Sequence, residues 1–307
     1  MRKLRFDLDV KSDALLCPNP TEFYSKCYIS EDIANNFRTI PGVKTSTKIA
    51  NVLFDNLLKA ETCSFTASDE PLNAITLDVC GLSAMAEICR FDIESSFISL
   101  QMVKGANASF EVAEFMSYYW DEMSKEIADE IASLRWKGDT GGGTSTYLDL
   151  CDGYEIKLLA DTSVVDVTLP VAITSGNVID EMGRTYALLV AACKFKKKDL
   201  RFYVSANVAA AYQLAVASGN TIAFVTQELG MTYLGIPIVI QEGMSNDTMV
   251  LTMKSNMLYV FDGENDSKAL KAINLEDTVA EPLLRTRANL KVGFYFVNPD
   301  EIVFYQA

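Results

Sequence analysis

The chain of 307 residues lacks the side chain most often used for chemistry near neutral pH: it has no histidine. That removes Ser-His-Asp and Cys-His catalysis and the most frequent transition-metal ligand. Carboxylate chemistry, lysine chemistry and magnesium sites survive. With 41 Asp and Glu residues, chance carboxylate pairs are unavoidable, and no pair stands out as a constellation.

Four local patterns deserve weighing. Gly138 to Ser145 has the Gly-x4-Gly of a phosphate loop, but Thr144-Ser145 stands where a P-loop requires Lys followed by Ser or Thr. The loop also follows a helical pattern instead of linking a strand to a helix, so it reads as a helix terminator. Asp262-Gly263-Glu264-Asn265-Asp266 gathers oxygen ligands without the EF-hand spacing or its closing glutamate, and reads as an acidic turn. Lys196-Lys197-Lys198 reads as a solvated corner. Arg285 and Arg287 alternate with apolar neighbours on one face of a strand; that face is either solvated or pairs charges across a subunit boundary. No catalytic residue, metal site or cofactor is expected.

Charge and cysteine content narrow the class further. The net charge of −14 is unsuited to a general nucleic-acid-binding surface, which needs clustered Lys and Arg. No apolar run approaches the roughly 20 residues of a membrane span, and Asp7 and Asp9 interrupt any signal-peptide core after Arg2, Lys3 and Arg5. Cytoplasmic synthesis and residence are therefore expected. The seven cysteines (17, 27, 63, 80, 89, 151 and 193) form no Cys-x-x-Cys pair and are expected to be buried free thiols.

The element most sharply written in the sequence is a helix. Phe110, Ala113, Met116, Trp120, Met123, Ile127, Ile131 and Leu134 recur every three or four residues and draw one apolar stripe. Ser109 can cap its first turn, and the stripe lasts to Trp136, giving about 40 Å at 1.5 Å per residue. Such a helix must lie along a sheet or another subunit.

Before it, residues 1 to about 30 read as an extended arm with a few apolar anchors, and Ser30-Glu31-Asp32 begins a short helix to Phe37. Ala74–Val79 and Ala86–Ile93 read as the arms of a long hairpin turning near Cys80-Gly81-Leu82-Ser83. A two-stranded ribbon is marginal alone and must lie on something else.

After the helix, 147–159 and 164–169 read as strands and 177–193 as a helix. Residues 200–204 form a strand, and Ser205 caps a helix to about Ala217. Residues 231–241 form a strand pair bent at Gly235 to Pro237. Residues 248–253 and 257–261 are strands about a turn, 283–296 is one long strand, and 302–305 is the last.

In this order the parts form a recognisable plan. Its best-matching stretches are Arg135-Trp136-Lys137-Gly138-Asp139 with Leu150-Cys151-Asp152-Gly153-Tyr154, and Lys198 to Ser205 ahead of a helix. Leu234 to Val239 and Arg285 to Phe294 followed by Asn298-Pro299-Asp300 complete it. The whole resembles the Hong Kong 97-type major capsid protein of tailed double-stranded DNA bacteriophages, over about residues 30 to 307.

The resemblance implies an α+β capsid fold divided as follows: an N-terminal arm and lead-in at 1–59, an extended hairpin loop at 60–104, a peripheral domain at 105–165 plus 276–297 built on a spine helix at 109–136, and an axial domain at 166–275 plus 298–307. It also implies a non-enzymatic subunit that forms pentamers and hexamers of an icosahedral virion shell, assembled in a bacterial cytoplasm. Its partners would be other copies of itself, a portal protein, a separate scaffolding protein and weakly held double-stranded DNA, with no membrane.

Phe65, Leu77, Phe91, Phe97, Trp120, Trp136, Arg285 and Arg287 are the residues expected at packing or assembly contacts. No lysine lies between Lys59 and Lys104, so the covalent loop crosslink of some family members is not expected. Starting at Met1 with a short arm, the chain is expected to lack a fused scaffolding segment. The rivals are an encapsulin nanocompartment shell and a histidine-free α/β enzyme using carboxylates or lysine.

Overall fold

The computed structural model describes residues 17, 19–29, 31–52, 72–89, 113–144, 146–219, 231–262, 270–275 and 280–307. The helices are α1 (Pro20–Tyr28), α2 (Glu31–Asn36), α3 (Ala113–Lys137), α4 (Tyr154–Ala160), α5 (Val178–Leu188), α6 (Ala191–Lys194) and α7 (Ala206–Gly219). The strands are β1 (Arg38–Pro41), β2 (Ser46–Val52), β3 (Leu72–Asp78), β4 (Cys80–Cys89), β5 (Val165–Asp166), β6 (Leu200–Val204) and β7 (Thr232–Tyr233). They continue with β8 (Ile236–Ile240), β9 (Thr248–Met253), β10 (Met257–Phe261), β11 (Leu270–Asn274), β12 (Leu283–Phe296) and β13 (Val303–Gln306). The chain divides into two compact units, with α3 and β12 each contributing residues to both.

The first unit comprises Met1–Ser30, Gly81–Ala128 and Gly263–Leu290. Within it, α1 replaces part of the expected extended arm. Pro20 stands in the first turn, where its missing N–H costs nothing, and Glu22 and Lys26 suit the two ends of the helix dipole. Phe23, Tyr24, Cys27 and Tyr28 are buried, a spacing of one helical face that is too short to draw a visible stripe. In the same unit β12 lies between β11 and β4. Residues 284, 286, 288 and 290 of β12 are buried and 285, 287 and 289 exposed, the period-two alternation of a sheet with one open face.

The second unit comprises Glu31–Cys80, Asp129–Asp262 and Lys291–Ala307. Its six-stranded sheet has the order β5-β13-β9-β6-β8-β7. Val178 and Met182 of α5 and Val208, Ala209, Ala211 and Ala215 of α7 pack with Phe202, Val204, Leu251 and Tyr305 of that sheet. Strands β7 and β8 meet through Leu234 and Gly235, both at positive φ (50° and 79°), the conformation of a two-residue hairpin turn. Elsewhere in this unit β1 runs parallel to β10, which pairs antiparallel with the last residues of β12.

Several expectations are corrected. The arms of the expected hairpin are not partners: β3 pairs antiparallel with β2, Ile75 opposite Ile49, while β4 pairs with β12. Gly81 has no positive φ, so the chain passes through 80–83 as strand instead of turning back. Residues 147–150 form a 3-10 turn, and α4 takes most of the remaining expected strand, burying Tyr154, Glu155 and Leu158 at helical spacing. The strand at 164–169 shrinks to Val165–Asp166, and α5 stops at Leu188 because Leu189 and Val190 turn extended.

The thiols are not all free either. Cys80 and Cys151, 71 residues apart, form a disulfide, which local cysteine spacing could not signal. Cys17, Cys27, Cys89 and Cys193 are free, and Cys63 lies outside the described residues.

Candidate assembly surfaces

Helix α3 ends where the glycines begin, and the ending is steric. Gly138 donates its N–H to the Leu134 carbonyl and accepts a hydrogen bond from the Gly153 N–H. A Cβ on Gly138 would lie 2.0 Å from the Cys151 carbonyl oxygen. The Asp152 carboxylate accepts from both the N–H and hydroxyl of Thr140, 2.8 and 2.7 Å away, and these bonds hold its pKa below the usual range against the opposing effect of burial. The N–H groups of Thr140, Gly141 and Gly142 are thus taken by Asp152 and Asp139, and α3 ends at Lys137 where the terminator was expected.

In the first unit the stripe of α3 buries Trp120 to 2% exposure. Its ring meets Phe23 of α1 edge-on at 5.5 Å. The indole Nε1 has no hydrogen-bond partner among the described residues. Lys26 binds Asp121 at 2.7 Å and Glu22 at 3.0 Å on the exposed side of the same helix pair. Burial pushes the Cys27 thiol up to about 12, so it stays protonated and unreactive at neutral pH.

In the second unit Trp136 is fully buried, and its Nε1 donates to Gln241 Oε1 at 3.2 Å. Arg135, also buried, donates to the same oxygen at 3.0 Å and lies 3.6 Å from Asp32. Gln241 Nε2 in turn donates to both Asp32 oxygens, at 2.9 and 3.1 Å. The guanidinium stands 4.8 Å from the Phe37 ring centre. Phe37, Trp136, Tyr154 and Tyr203 pack ring to ring around it, and burial pushes both tyrosine hydroxyls well above their ordinary pKa. Sequence alone did not reveal this cluster. Its one signal was a charged residue, Arg135, between the apolar Leu134 and Trp136.

Lys157 is a second residue that sequence alone did not reveal. Its Nζ donates to the Phe294 carbonyl at 2.7 Å and lies 3.9 Å from the Tyr295 ring centre. Burial lowers its pKa to about 8, against the attraction of Asp152 and Asp78.

Of the residues expected at contacts, Leu77 is completely buried with Val43, Leu258 and Val260 of its own chain. Trp120 and Trp136 are buried as described. Arg285 and Arg287 share the exposed face of β12, where Arg285 pairs with Glu87 and Arg287 donates to Ser83 Oγ and Asn289 Oδ1. Phe65, Phe91 and Phe97 lie outside the described residues. Among the described residues no cluster of three metal-ligating side chains occurs, and no helix is long and apolar enough to cross a membrane.

No protein-family model matches the sequence, and no curated protein matches it either. Solved structures do. A chain of the satellite phage P4 procapsid, solved with its size determination protein, aligns with a TM-score of 0.60 over 93% of this chain and 88% of that one, at 10% identity. This chain has a capsid fold. The capsid of the native GTA particle aligns with a TM-score of 0.54 over 90% of each chain, at 14% identity. The virus-like particle of Pyrococcus furiosus gives 0.54 over 95% of this chain and 98% of that one, at 10% identity. The α+β capsid plan expected from the order of elements is therefore borne out as a fold. At these identities the shared property is the path of the backbone.

Proposed function

We propose that this chain is the major capsid protein of a tailed bacteriophage, a non-catalytic subunit that self-assembles through pentamers and hexamers into an icosahedral shell around double-stranded DNA. The observation that carries the proposal is the near-complete, two-way alignment with the P4 procapsid chain. A net charge of −14 suits a container that should hold its genome loosely.

Under this reading the peripheral and axial regions follow the division given by the sequence, and the extended loop takes in the paired strands β2 and β3. Phe65, Phe91 and Phe97 then contact neighbouring subunits, and a portal and a separate scaffolding protein complete the particle. Sedimentation of purified protein tests the reading: species of tens of subunits or more support it, and a stable monomer or dimer at micromolar concentration contradicts it.

A second reading, a protein nanocompartment shell, is favoured by the alignment with the Pyrococcus virus-like particle over nearly the whole of both chains. Nuclease-protected DNA inside purified particles supports the phage shell. An enclosed enzyme with no DNA supports the compartment.

A further inference from the structure

The open face of the β4-β12-β11 sheet in the first unit combines two features that a surface facing only water would not be expected to keep. The first is electrostatic. In the register of β11 and β12, Lys271 stands directly opposite Arg287, both exposed. Like charges at directly opposed positions of a sheet are destabilising. Arg285, one exposed position along, has the carboxylate of Glu87 beside it and Glu281 further off. Lys271 and Arg287 have no carboxylate partner among the described residues.

The second feature is apolar. Met85 on β4 is 70% exposed, and Ile273, opposite Arg285, is 47% exposed. With Ala86 and Thr286, these side chains line a recess of about 460 Å³ that carries three cations, Lys271, Arg285 and Arg287, and one carboxylate, Glu87. A cationic recess is unusual on a chain whose net charge is −14.

We propose that this face is a contact between copies of this chain, and that it receives a surface of a second subunit bearing carboxylates beside apolar side chains. The proposal rests on the shell reading and adds to it where one subunit grips the next. Charge complementarity identifies the occupant: 41 acidic against 27 basic residues make the chain's own surface the natural counter-charge for a cationic patch. Nucleic acid fits less well. A phosphate backbone would use the cations but leave Met85 and Ile273 uncovered, and the recess has no aromatic ring on which a base could stack. Interfaces of about 800 Å² per partner are typical of stable association, so this recess is one contact among several around a subunit.

Lys271→Glu tests the proposal, because the subunit and the assembly should respond in opposite directions. Within the subunit, glutamate opposite Arg287 turns a repulsive pair into an attractive one, so the melting temperature should hold or rise. In assembly it repels the incoming carboxylates, and the assembled fraction by sedimentation should fall at least tenfold, with Arg287→Glu falling likewise.

Wild-type yields of wild-type-like particles from both variants would overturn the proposal. Normal particle yield with a reduced ratio of nucleic acid to protein would also overturn it, in favour of a nucleic-acid contact. If the wild type itself forms no particles, the shell reading fails separately. The proposal is then read from the self-association constant of the soluble protein: at least a tenfold weakening by Lys271→Glu supports it, and no change overturns it.

Discussion

Trp120 and Lys157 show what single side chains contribute. Trp120 is almost fully buried against Phe23, and removing a buried tryptophan typically costs about 3 to 5 kcal/mol. Trp120→Ala should therefore lower the denaturation midpoint strongly. Because Nε1 has no partner among the described residues, Trp120→Phe should cost far less than Trp136→Phe, which strips a donor from Gln241. Chemical denaturation of the three variants checks this order.

Lys157 makes a prediction in pH. Its folded pKa is about 8 and its ordinary value 10.5, so between these the unfolded chain binds a proton that the folded chain does not. Lys157 should therefore contribute stability that rises with pH across that window. From about pH 9 the buried thiol of Cys27, and above about pH 10 the buried tyrosines, all raised in the folded chain, oppose the trend as the unfolded chain ionises first. Denaturation between pH 7.5 and 9 should show a more positive slope in the wild type than in Lys157→Met. Equal slopes would contradict the assigned environment.

At the scale of elements, the Cys80–Cys151 disulfide joins the start of β4 to the turn before α4. Closing a loop of 71 residues in the unfolded chain is worth about 4 kcal/mol in the chain-entropy account. Cys80→Ser should lower the stability of oxidised protein by an amount of that order and leave reduced protein unchanged, a comparison made by thermal denaturation with and without dithiothreitol. Gly138→Ala should destabilise in either state, because its Cβ would strike the Cys151 carbonyl.

These elements also show how much the sequence could disclose. The long helix, β6, the hairpin at Gly235 and β12 were legible because each has a period or turn residue of its own. The pairing of β3 with β2, the departure of β4 to β12, the disulfide and the Gln241–Arg135–Asp32 cluster were not. Each depends on residues brought together from distant parts of the chain, which no local pattern records. Helix α1 was hidden for a different reason, since nine residues are too few to display a stripe.

At the scale of the whole molecule, the proposed shell would need chains of net charge −14 to attract through local features while repelling on average. Apolar burial and the cationic recess on β4, β11 and β12 would be such features, and screening by salt should relieve the average repulsion. Assembly of the proposed shell should accordingly be promoted by moderate salt, as measured by light scattering across a sodium chloride series. Denaturing gels of mature particles should show single-subunit bands without covalent ladders, because no lysine lies between Lys59 and Lys104.

Electron microscopy of the expressed chain tests the proposed shell most directly. Closed particles with five-fold and six-fold clusters of subunits are the expected result. A homogeneous monomer or dimer under every assembly condition would contradict it.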